Sequence, residues 1–255
     1  MILRNNPLIA SLILLIIVLL MWQFLPLALG IPKFIIPNLS TCLIELKRMF
    51  IYENLIAHLT STTIFTVLGF LLGSVLGAII GYLLGMSIFW EKVLSPYILA
   101  LQISPKVAFA PLFIMWFGYN SIPKLLITVL IVFFPVLVNV LQAMRTVDRD
   151  LVNLARAYNM SRLEIFFKVE MPSTVPSLMA GLRIASTLAI IGVTVGELVG
   201  GNSGLGFLIS YGGGQANAAM VFNCIGFLTV IGYLLYAVIV KVEARVLHYL
   251  PKAEY

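Results

Sequence analysis

The chain has 255 residues, of which 61% are hydrophobic and only 10% charged, with a net charge of +6. Soluble domains carry about 25% charged residues, so a folded monomer of this composition lacks the polar surface that water requires. That excludes an ordinary soluble enzyme or binding domain and points to a chain immersed in lipid.

A helix needs roughly 17–25 apolar residues to cross hydrocarbon. The first such run is Leu8 to Leu29. It is longer than a signal-peptide core of about 7–15 residues, and no small-x-small cleavage site follows it. Pro26 and Gly30 close it instead. From Asn38 to His58, Leu39, Leu43, Leu46 and Phe50 recur at helical spacing, with Glu45, Lys47, Arg48 and Glu53 mostly on other faces. This segment reads either as a helix lying in the outer interface or as a connector packed on a bundle. Cys42 lies in it, unpaired and near the outer surface.

The second span runs from Leu59 to Leu84. Gly69, Gly73, Gly77, Gly81 and Gly85 step along it by four, which lets another helix approach closely, within the subunit or between two copies. The third, Leu94 to Phe117, is interrupted by Ser104, Pro105 and Lys106, and Pro111 follows. Proline removes a backbone donor and kinks helices. Irregular backbone at membrane depth is tolerated where protein or a water path covers it. The fourth span is Ile122 to Leu141, the fifth Leu178 to Val199 and the sixth Met220 to Val240. Cys224, within the sixth, reads as core packing.

Between the fourth and fifth spans lies a basic loop, 144–177, with Arg145, Arg149, Arg156, Arg162 and Lys168. Val147, Leu151, Leu154 and Tyr158 form an apolar stripe at helical spacing. Asn159 is a suitable helix stop, because Asn tolerates the left-handed conformation. Ser161 and Glu164 make a capping box, so a second helix starts at Arg162. Leu163, Phe166 and Phe167 give it an apolar side, Pro172 stops it and Pro176 leads into the fifth span. Two short helices with a tight corner are expected. By composition alone they read equally as a connector on lipid headgroups or a protein-binding element. A DNA-reading helix-turn-helix is excluded by the tether to a membrane span.

With the N-terminus inside, the inner side holds Arg4, Lys92, Arg145, Arg149, Arg156, Arg162, Lys168, Lys241, Arg245 and Lys252. The outer side holds Lys33, Lys47, Arg48 and Lys124. The positive-inside rule favours this orientation, which places both termini in the cytoplasm. It also accounts for the basic balance without nucleic acid.

Two charges fall within or beside the later spans. Glu197 ends a long apolar helix, where a carboxylate is costly unless wetted or paired. It reads as a path or gate residue, or as a helix-end carboxylate reaching water. Arg183 reads as an inner anchor, or as a partner for Glu170 or part of a polar gate. Gly200, Gly201, Gly204 and Gly206 form an exposed turn after Glu197, and Gly212, Gly213 and Gly214 a flexible loop. No P-loop is present, and no strand–glycine loop–helix unit surrounds these glycines. His58 and His248 are too separated for a metal site or a triad. No catalytic residue, metal ligand or cofactor is therefore assigned. A membrane enzyme needs clustered ionisable groups at one depth, and Glu197 stands nearly alone. A structural anchor explains the spans but not the capped helix pair.

The basic loop resembles the signature of binding-protein-dependent ABC transporter permeases. Asn153, Leu154 and Ala155 stand at the family's Glu-Ala-Ala, followed by Arg156 and Ala157. Asn159 takes the glycine position, and Val169, Glu170, Met171 and Pro172 form the ending. Phe109 to Gly118, Phe133 to Asn139, Pro176 to Ala185 and Gly196 to Ile209 are similar to the nitrate/sulfonate/taurine branch of that family. The resemblance covers roughly Thr60 to the C-terminus. It implies an all-α polytopic membrane bundle of six transmembrane helices, the type I ABC importer permease fold. The implied organisation is an N-terminal span with an outer segment over 1–58 and a permease core over 59–255. It further implies an importer subunit in the bacterial inner membrane that couples to a separate ATPase. The coupling residues are then Leu154, Ala155, Arg156, Ala157, Asn159, Ser161, Glu164 and Pro172. Lys106, Arg183 and Glu197 become candidates for the translocation path or gate. The implied partners are a second permease copy, two ATPase subunits using ATP and Mg, an extracytoplasmic solute-binding protein and membrane lipid. The implied solute is a small nutrient or anion such as nitrate, a sulfonate, taurine or a vitamin precursor.

Overall fold

A computed structural model describes residues 7–249. The expected inner charges Arg4 and Lys252 lie outside the described residues. Among these, all regular structure is helical. Five helices are long and apolar enough to span a membrane, and a bent pair makes up to six.

Helix α1 (Pro7–Ala28) stands almost free of the bundle. It is tied down near its end, where the Trp22 indole donates to the Pro37 carbonyl at 2.9 Å and Gln23 accepts from the Ser40 amide at 2.9 Å. Helix α2 (Leu39–Tyr52) is capped by Asn38, which accepts from the Thr41 amide at 3.2 Å. It is a packed connector. Its buried ridge is Cys42 and Met49, whereas Leu43 and Phe50 of the expected apolar face are exposed. The reason is a polar anchor. Asn223 donates to the Cys42 carbonyl at 2.9 Å and Asn217 to Glu45 at 2.8 Å, so a mixed face turns inward. Cys42 is accordingly buried, not at the surface, and burial pushes its thiol pKa up.

The centre of the fold is three long helices: α3 (Leu55–Gly85), α6 (Ser121–Arg145) and α9 (Met171–Gly200). The glycine ladder of α3 lies against α6 within the same chain. A Cβ on Gly73 would stand 2.8 Å from Val132, and one on Gly77 2.6 Å from the Phe133 carbonyl. Gly192 and Gly196 of α9 meet an adjoining face of α6 at Thr128 and Lys124, and Thr128 also meets Gly69 of α3. Small residues thus let both neighbours press against α6, and Val132, Val136 and Val140 are wholly buried between them.

Helix α4 (Ile88–Ile103) and α5 (Ala110–Phe117) form the broken third span, bent by 83° at the Ser104–Pro105 break with a 3₁₀ turn over Lys106–Phe109. Helix α7 (Arg149–Ala157) and α8 (Arg162–Ile165) follow α6. Contrary to the sequence expectation, Pro172 does not stop α8. A π turn over Phe166–Glu170 carries the chain straight into α9. The Met171 amide reaches back to the Phe166 carbonyl, and this wider turn seats a proline that has no N–H at the next position. Helix α10 (Leu205–Gly214) and α11 (Ala218–Val246) complete the fold. Gly212, Gly213 and Gly214, expected as loop, are the last turn of α10.

Candidate functional site

The α7–α8 corner is built by local capping. Asp148 caps α7 through the Asp150 amide at 2.8 Å. Asn159 has φ 55°, the left-handed stop that its side chain permits. Its amide donates to the Arg156 carbonyl at 2.9 Å and the Met160 amide to the Ala155 carbonyl at 3.2 Å, a Schellman closure. Ser161 and Glu164 then form the reciprocal box: the Ser161 amide donates to Glu164 Oε2 at 2.9 Å and the Glu164 amide to Ser161 Oγ at 3.3 Å. Arg162 donates to the Met86 carbonyl at the end of α3, and Arg145 pairs with Glu91 of α4. The corner is therefore tied to the bundle.

Ala155 is buried beneath the hollow that Leu151, Leu154 and Tyr158 border, while those three, Leu163 and Phe167 are exposed. Val147 leaves the expected stripe and lines a groove on the other side of α7. Leu151, Leu154 and Tyr158 border an apolar hollow of about 330 Å³ that Pro172 closes. Exposed apolar clusters rimmed by polar groups occur at contacts with protein or with membrane.

At the opposite end of α9, Glu197 is 1% exposed and does not reach water. Thr62 donates to its carboxylate at 2.9 Å and the Gly206 amide at 3.0 Å. Lys124 Nζ lies 3.4 Å from Oε1 and is itself 2% exposed. It also donates to Ser61 Oγ at 2.9 Å and sits 4.3 Å above the Phe65 ring. The Thr62 hydroxyl accepts from the Leu205 amide at 2.8 Å, and the Gly204 amide donates to His58 Nδ1 at 2.9 Å. Leu205 and Gly206 open α10, so the carboxylate caps the positive end of that helix. Glu197 is thus the centre of a polar cluster that joins α3, α6, α9 and α10. The expected exposed glycine turn is packed onto it, with Gly204 and Gly206 buried. Lys124, counted as an outer-surface charge, folds inward.

Lys106 Nζ caps the broken end of α4, donating to the Gln102 carbonyl at 2.5 Å, and lies 4.9 Å from the Phe134 ring centre. Arg183 pairs with Glu243 of α11 at 3.1 Å, not with Glu170. Lys106, Arg183 and Glu197 each have different partners and form no single site. Among the described residues, no group of three His, Cys, Asp or Glu is arranged to hold a metal.

Residues 69–248 match the family described as "Binding-protein-dependent transport system inner membrane component". The chain is 37% identical over 162 residues to the formylaminopyrimidine transport permease protein ThiX of Halalkalibacterium halodurans, covering 62% of this chain and 65% of that protein, just under two thirds. It is 37% identical over 223 residues to the riboflavin transport system permease protein RibX of Chloroflexus aurantiacus, covering 87% and 83%. Permeases named for aliphatic sulfonates, nitrate and taurine also match. A chain of the MetNI methionine ABC transporter, solved in inward-facing conformations, superposes with a TM-score of 0.65 at 20% identity, covering 75% of this chain and 95% of that one.

Proposed function

Because the chain belongs to the binding-protein-dependent transport system inner membrane components and has the type I ABC importer permease fold, we propose that it forms half of a solute path driven by an ATPase docked on the α7–α8 corner. As a permease subunit it is a non-catalytic translocation component with a cytoplasmic coupling-helix region; ATP and magnesium are used in this family by a separate ATPase subunit. A second copy completes the path and an extracytoplasmic binding protein delivers the solute. That solute is a small nutrient or anion of the nitrate, sulfonate, taurine or vitamin-precursor kind. The names of ThiX and RibX favour a vitamin or its precursor. Both termini lie in the cytoplasm. A membrane enzyme or a plain anchor accounts less well for a capped corner that exposes Leu154, Tyr158 and Phe167.

The observation that carries this reading is that corner: rigidly closed, tied to α3, and apolar on its free side. Ala157 is exposed there and has no internal packing to lose. Ala157→Glu is expected to leave the chain folded but to cut co-purification of the ATPase about tenfold or more, because docking buries an unpaired charge. Undiminished recovery of the ATPase with the variant counts against docking through this corner. For orientation, a cysteine at Asn202 should label only from outside and one at Arg156 only from inside; labelling of both from one side overturns the topology.

A further inference from the structure

Helix α7 has a second face. Arg149, Val152, Asn153 and Arg156 recur at helical spacing on the side away from Leu151, Leu154 and Tyr158, and they line a groove of about 830 Å³. Its other walls are the end of α3 at Gly85 and Met86, the start of α4 and the end of α6. Five cations line it: Lys92, Arg145, Arg149, Arg156 and Arg162. Only two carboxylates answer them, Glu91 and Glu170. Glu91 is already paired with Arg145. Lys92, Arg149 and Arg156 have no ion-pair partner among the described residues. The groove is therefore a concave site with excess positive charge.

Its depth in the bilayer is marked by α4. Ile88, Phe89 and Trp90 open that helix beside Glu91 and Lys92, and all three are more than half exposed. An exposed Trp next to charged residues at the end of a span belongs at the headgroup level. Apolar groups from Met86, Ile88, Met144 and Val152 line the same groove, suited to glycerol and the first methylenes. Basic pockets between spans on the cytoplasmic side hold anionic headgroups.

We propose that this groove binds the phosphodiester headgroup of an anionic phospholipid from the inner leaflet, held chiefly by Lys92, Arg149 and Arg156. The bound lipid would sit behind the coupling helix, on the face that the apolar stripe leaves free. The site rests on the cytoplasmic placement of α7 but not on ATPase docking, so its test is independent of the Ala157 experiment.

The test is native mass spectrometry of the full chain released from nanodiscs of equal parts phosphatidylglycerol and phosphatidylcholine. Retention of phosphatidylglycerol over phosphatidylcholine is expected, and Lys92→Gln with Arg149→Gln should reduce that preference about tenfold. Lys168→Gln, on the apolar-hollow side of the corner, should leave it unchanged. No preference in the native chain, or one equally strong in the double variant, overturns the proposal. Saturation of the groove by inorganic phosphate without phosphatidylglycerol retention assigns the shared phosphate chemistry to a free anion and overturns the lipid.

Discussion

Replacing Gly204 with alanine is expected to unseat α10 and abolish transport. Gly204 has φ +106°, a conformation that side-chain-bearing residues rarely adopt, and an added Cβ would stand 2.0 Å from the Glu197 carboxylate. The backbone strain alone costs about 1–3 kcal/mol. Overpacking adds a similar amount, and neither Glu197 nor the α10 start can retreat without losing hydrogen bonds. Gly118→Ala separates the two effects, because Gly118 also has positive φ, at +77°, but nothing lies within 4 Å of its Cβ position. Thermal unfolding in detergent should fall far more for Gly204→Ala than for Gly118→Ala. Equal losses would mean that the contact with Glu197 has no weight.

The second large effect belongs to the buried pair itself. Glu197→Gln keeps the shape and one acceptor for Thr62 and Gly206, but it leaves the Lys124 ammonium buried without a countercharge. Removing one partner of a buried pair costs roughly 3–5 kcal/mol, whereas replacing both with neutral groups is often tolerated. Ser61 and the Phe65 ring soften the loss for Lys124, which places the expected cost near 3 kcal/mol. The double variant Glu197→Gln with Lys124→Met should lose clearly less stability than the two single substitutions summed, because each single change leaves the other charge buried and unpaired. Transport is the separate readout. If the double variant is stable yet transports slowly or leaks, the charges serve a gate. If transport returns with stability, Glu197 is a positioning residue that seats α10 by capping its N-terminus. Additive effects of the two substitutions would contradict the pairing.

The parts of this fold legible in the sequence are those written locally. The Ser161–Glu164 box, the left-handed Asn159 and the apolar runs each depend on residues a few positions apart, and each recurs in the structure. The glycine steps of α3 foretold a close helix contact, though not that α6 would supply it. What failed depended on long-range pairing. Glu197 looked isolated because Thr62 and Lys124 stand 135 and 73 positions away. Lys124 looked like a surface charge because it sits near the start of an apolar run, where only the tertiary fold turns it inward. The α2 face was misread because Asn217 and Asn223 of a distant helix draw in its polar side. Pro172 looked like a stop because a proline forbids an ordinary α turn, and the π turn before it evades that rule.

The most direct test of the account is uptake by sealed vesicles holding this chain and its ATPase, with the binding protein outside and Mg-ATP within. Formylaminopyrimidine, riboflavin, taurine and an alkanesulfonate serve as probes. Accumulation of one of them is predicted to require ATP, the ATPase and an intact corner, and to cease with Ala157→Glu. Accumulation that proceeds equally without ATP or without the ATPase would contradict the assignment of this chain as an ATP-coupled permease.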